Sequence, residues 1–125
     1  MARHKTPTLT EAELRIMKSV WDLEEASVHD VRQAMPAGKR LAYNTILTIM
    51  RILEQKGYLL REKSGRAHVY RAAVSQDQAR RSAVRHILRS FFENSHEELV
   101  LSVLDDEDLT PDEIARLKQM IGRRK

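Results

Sequence analysis

A chain of 125 residues has room for one ordinary domain, or one small domain with a helical appendage, and none for a large two-domain enzyme. Its 42% hydrophobic and 32% charged residues make it too apolar for a disordered chain and too interrupted by charge for a membrane span, so a soluble protein without direct membrane binding is expected. The net charge of +4 favours a polyanionic partner, and the absence of cysteine excludes disulfides, thiolate metal sites and thiol redox sensing.

In chain order, Met1 to Leu9 holds Arg3, His4, Lys5 and Pro7 but no apolar stretch of signal-peptide length, which predicts a cytoplasmic protein. Thr10 followed by Glu13 is a capping box, and Ile16, Met17, Val20, Trp21 and Leu23 follow at helical spacing. Ser27 with Asp30 opens a second, shorter helix bearing Val28, Val31 and Met35, which Pro36 and Gly38 end. A third helix is predicted from about Ala42 to Lys56, with Gly57 as its left-handed cap. At about 100° per residue, Ile46, Ile49, Met50 and Leu53 form a narrow core face. Asn44, Thr48, Arg51 and Gln55 lie opposite. Solvated helix faces usually carry Glu and Lys, so this amide, hydroxyl and guanidinium stripe is unusual.

From Tyr58 the pattern changes to two strands, 58–62 and 67–71, flanking a turn of Lys63, Ser64, Gly65 and Arg66. Three helices and then a basic hairpin is the order of a winged helix-turn-helix domain. Beyond Val74 three more helices are predicted, led by Ser75 with Gln78, Ser95 with Glu98, and Thr110-Pro111 with Glu113. About 50 residues cannot bury so much Phe, Leu, Ile and Val alone, so a second copy is expected to supply the missing surface. The fold class is therefore mainly α: a winged-helix DNA-binding domain over residues 1–73, then a helical dimerisation region over residues 74–125.

Charge follows the same division. Residues 1–73 hold 13 Lys and Arg against 8 Asp and Glu, a net +5, while residues 74–125 hold 9 against 10, a net −1. Between Lys39 and Arg71 there are 8 basic residues and 2 acids, Glu54 and Glu62. A polyanion is the natural partner of that segment, and the helix-turn-helix order makes double-stranded DNA the expected one. Asn44, Thr48, Arg51 and Gln55 are the candidates for base edges, since Asn and Gln pair bidentately with adenine and Arg with guanine. Lys39, Arg40, Tyr43, Thr45, Arg61, Lys63, Arg66 and His68 are candidates for the DNA backbone. Ile87, Phe91, Phe92, Leu99, Val100, Val103, Leu104, Ile114, Leu117 and Ile121 are the dimerisation candidates.

Enzyme chemistry is not indicated. Five histidines form no i, i+4 metal pair, and Asp105 to Asp108 lacks the alternating ligands and central glycine of a calcium loop. No glycine-rich phosphate loop occurs, and no cofactor is called for. Two other classes stay open on the residues alone: a ligand-sensing regulator with a pocket near Phe91 and Phe92, and a winged-helix protein-interaction module.

The chain resembles the penicillinase-repressor family (BlaI/MecI type) of winged-helix transcriptional repressors. The resemblance rests on Leu9-Thr10-Glu11-Ala12-Glu13 with Val20-Trp21, on residues 42–48 (Ala-Tyr-Asn-Thr-Ile-Leu-Thr) with Leu53 and Lys56-Gly57, and on residues 66–70 (Arg-Ala-His-Val-Tyr). It implies a homodimer on palindromic operators upstream of resistance genes, and relief of repression when a membrane-bound zinc metalloprotease sensor triggers cleavage in the dimerisation region. Two positions depart from the family pattern. Ile52 stands where arginine usually precedes the last core leucine of the third helix, with Arg51 one residue earlier. The dipeptide aligned with the cleaved Asn-Phe bond is Ser102-Val103, the candidate cleavage site. The copper-responsive relatives use C-terminal cysteine pairs, which this chain lacks.

Overall fold

Six helices and a three-stranded antiparallel sheet make up the computed structural model, which describes residues 8–65 and 67–124. The expectation placed on Arg66 lies outside the described residues. Packing divides the chain into two units, Met1–Ala83 and Val84–Lys125.

In the first unit, α1 (Glu11–Leu23) starts from the expected capping box. Thr10 Oγ1 accepts the Glu13 N–H at 3.1 Å, and Glu13 Oε1 accepts the Thr10 N–H at 2.8 Å. Ile16, Met17 and Val20 then fall on one fully buried face. A two-residue strand, β1 (Glu25–Ala26), follows, and Ser27 and Asp30 cap α2 (Val28–Ala34) reciprocally. A 3₁₀ turn, Ala37–Lys39, leads to α3 (Tyr43–Lys56). Gly57 ends α3 at φ 90°, a left-handed conformation in which its N–H reaches the carbonyls of Leu53 and Glu54.

The strands β2 (Leu59–Ser64) and β3 (Ala67–Ala72) pair in register from Leu59 with Ala72 to Ser64 with Ala67, and β1 adds to the other edge of β3. Beyond the Ser64–Ala67 pair, Gly65 enters the turn at φ 64°, which a side chain would strain. Ile46, Met50 and Leu53 from α3 meet α1, Val31 of α2, and Tyr58, Leu59 and Tyr70 of the hairpin in one core. This is the winged-helix arrangement that the sequence predicts.

Two long-range polar contacts fasten the core. The Trp21 indole N–H donates to the Val74 carbonyl at 2.9 Å, holding the end of α1 to the segment that follows the wing. Lys56 at the end of α3 donates to both carboxylate oxygens of Glu13, at 2.8 and 2.7 Å, where Glu13 is 5% exposed. Burial alone pushes the Glu13 carboxyl up. The Lys56 hydrogen bond and charge, with the Thr10 N–H, outweigh burial and hold it below the usual carboxylate range. The unfolded chain therefore protonates at Glu13 before the folded one does. The pair's contribution is complete above the ordinary carboxylate range and is lost as pH falls through the lowered folded-state value. Glu13→Gln is expected to cost about 1–2 kcal/mol at neutral pH. It should also flatten the acid limb of a plot of Tm against pH; an unchanged limb would remove the pair from acid stability.

The first turns of α4 (Gln76–Phe91) belong to the first unit, where Ala79 packs against the core. Ser75 and Gln78 form the expected capping box there, at 2.9 and 3.1 Å. The sequence pattern turns helical at Val74, whereas packing on the first core continues to Ala83.

The second unit takes the rest of α4, a turn with Glu93 and Asn94 at φ 49° and 67°, α5 (His96–Leu104) and α6 (Pro111–Arg123). Ser95 caps α5, and Thr110 with Glu113 boxes α6 behind Pro111. In the acidic loop, Asp106 accepts the Asp108 N–H on a side-chain oxygen at 2.9 Å and the Leu109 N–H on its carbonyl at 3.1 Å, so it serves as a turn. Among the described residues of this unit only Leu88 is buried. No helix among the described residues is long and apolar enough to cross a membrane.

Candidate nucleic-acid interface

Helix α3 sorts its side chains strictly. Ile46, Met50 and Leu53 are wholly buried, while Asn44, Thr48, Arg51 and Gln55, at spacings of four, three and four, are all exposed. The stripe is thus held outward by the rigidity of the opposite face. Thr48 is modified by its own helix, because its hydroxyl donates to the Asn44 carbonyl at 2.9 Å. That leaves its oxygen lone pairs and its methyl group to meet a ligand.

The start of α3 has a feature that sequence reasoning did not weigh. In the other five helices a Ser or Thr sits before the first turn and accepts an N–H there. In α3 the position is Ala42, and no side chain among the described residues caps the helix. This uncapped first turn is the helix end where an anion is favoured. Tyr43, 49% exposed, and Thr45, also exposed, lie in this first turn.

On the hairpin, alternation puts Leu59, Arg61 and Lys63 on the same face as their partners Ala72, Tyr70 and His68. The apolar end of that face completes the core, and its basic end projects beyond it. Arg61, His68 and Tyr70 meet Tyr43, Leu47 and Arg51 of α3 around a cleft of about 240 Å³, closed by Ser27, Val28 and His29. The structure thus brings Tyr43, Arg51, Arg61 and His68 together and adds His29, which periodicity alone does not single out. Lys63 stands exposed further along the wing.

Two basic candidates have structural work as well. Arg61 Nε lies 3.6 Å from Glu54 Oε2, tying the wing to α3. Arg40 donates from Nε to the Arg32 carbonyl at 3.1 Å and from Nη2 to the Met35 carbonyl at 3.2 Å, capping the C-terminal end of α2. Arg32 in turn donates to the Leu41 carbonyl at 3.0 Å. The two arginines fix the α2–α3 turn, and Lys39 beside them is exposed.

The penicillinase repressor family profile matches residues 9–123. The chain belongs to that family. It is a DNA-binding transcriptional repressor and not an enzyme. This repressor is 24% identical over 121 residues to the methicillin resistance regulatory protein MecI of Staphylococcus aureus, covering 97% of this chain and 98% of the relative. Its fold is similar to the solution structure of the DNA-binding domain of the repressor BlaI, with 28% identity, a TM-score of 0.53, and coverage of 60% of this chain and 92% of that one. It is also similar, at 28% identity and a TM-score of 0.50, to the monomeric form of Bacillus licheniformis BlaI in complex with the blaP half-operator, with coverage of 60% and 92%.

Proposed function

We propose that this repressor acts in the cytoplasm as a homodimer on a palindromic operator, with α3 of each copy in a major groove. The observation that carries the reading is the exposed, nearly uncharged stripe of Asn44, Thr48, Arg51 and Gln55, set between an uncapped helix start and a basic wing. Asn44, Arg51 and Gln55 hydrogen-bond base edges, and Thr48 offers an acceptor and a methyl. Phosphates meet the α3 amides, Tyr43, Thr45, Lys39, Arg61, Lys63, Arg66 and His68, while Arg40 mainly holds the turn. Similarity to a protein solved on a half-operator supports this assignment.

Residues 74–125 form the dimerisation region. Ile87, Phe91, Val100, Val103, Leu104, Leu117 and Ile121 are exposed in the single chain, and Phe92, Leu99 and Ile114 are partly covered. Leu101 and Met120, 48% and 57% exposed, extend the same apolar surface beyond the sequence expectation. A second copy covering them matches a two-fold operator whose half-sites lie one or more helical turns apart. Occupied operator DNA blocks polymerase, and loss of pairing relieves the block. A membrane-bound metalloprotease sensor fits this scheme, with Ser102–Val103, exposed on α5, as the scissile bond after the helix opens locally.

The test is a mobility-shift titration on the DNA upstream of the chain's own gene, at two salt concentrations. A specific site should bind roughly a thousandfold or more tighter than random DNA. Equal binding to both, or none, overturns the reading. In the same titration Lys63→Ala should weaken both DNAs alike and lower the salt slope by about one.

A further inference from the structure

Away from the proposed DNA face, the first unit has a recess of about 400 Å³ between α1 and the first two turns of α4. Its apolar walls are Leu9, Leu14, Trp21, Tyr58, Ala79 and Ala83. Thr8 and Gln76 are uncharged polar members of the wall, Lys18 and Arg80 stand on it as cations, and no carboxylate among the described residues lines it. Arg80 shares its charge with Asp77 at 3.4 Å, whereas Lys18 makes no ion pair among the described residues. The Trp21 N–H is already bound to the Val74 carbonyl, which fixes the indole in place. The recess falls within the size range of small-molecule sites, and its combination of fixed aromatic wall, apolar walls and one ammonium without an ion pair among the described residues suits an apolar anion.

We propose that this recess binds a small organic monoanion with a flat apolar body, an aromatic carboxylate, whose ring lies on the Trp21 side and whose charge meets Lys18. The site lies wholly in the first unit and goes beyond the operator reading, so it is tested on the DNA-free chain. The probe is 2-naphthoate, with the uncharged 2-naphthamide as its control, titrated into the full-length protein by calorimetry and by amide NMR shifts. One molecule per chain should bind saturably, with shifts centred on α1 and the start of α4, and naphthamide should bind about tenfold more weakly. Lys18→Glu, a surface change, should reduce naphthoate affinity about tenfold or more while leaving naphthamide unaffected, and Ala83→Phe should close the recess to both. Absence of saturable binding, equal affinity for the two probes, indifference to Lys18→Glu, or shifts confined to the second unit would each overturn the proposal. Operator titration without naphthoate tests the repressor reading separately.

Discussion

Truncation after Glu93 is expected to leave a folded, monomeric winged helix that binds operator about 10²- to 10⁴-fold more weakly than the full chain. The fold should survive because the buried cluster from Ile16 to Val74 is complete within the first unit and closed by the Trp21 and Lys56 contacts. The affinity should fall because α5 and α6 leave their apolar residues on the surface, which a water-exposed monomer does not favour and which the proposed second copy would cover. Two linked reading heads would make the second half-site an intramolecular encounter, whereas separate heads would each have to bind on their own. Sedimentation would report the mass and a titration the affinity. A truncated chain that kept full affinity would refute dimer-dependent binding.

Arg51→Ala should lose about 1–3 kcal/mol at the cognate operator and little on random DNA. Arg51 is exposed at the middle of the α3 stripe, borders the cleft that Arg61 and His68 also line, and makes no ion pair among the described residues. Its guanidinium is therefore available for a bidentate contact with guanine, and its removal leaves the core untouched. The comparison of specific with random DNA separates base reading from charge. Equal losses on both would reassign Arg51 to the phosphates.

The parts of this molecule that sequence makes legible are those set by local rules. Capping boxes at Thr10, Ser27, Ser75 and Thr110, the α3 core face and the left-handed Gly57 all follow from spacing within a few residues. The hidden parts depend on distant partners. Glu13 and Lys56 are 43 residues apart, and Trp21 and Val74 are 53 apart. Strand β1 has two residues, too few for any alternation, and exists because β3 offers an edge. Arg40 carries the same charge as Lys39 in the sequence, yet the return of the chain after the 3₁₀ turn aims it at α2 carbonyls. Of the cleft around Arg51, the basic members were legible from charge, whereas His29 enters only because α2 packs beside α3.

The alanine at position 42 gives α3 a less secure beginning than serine would, by about 1 kcal/mol. A hydroxyl there would make the isolated molecule more heat-resistant, but it would occupy the amides proposed above to meet a phosphate. On the proposed operator contact, robustness of the free repressor and grip on its operator would be opposed at a single methyl group.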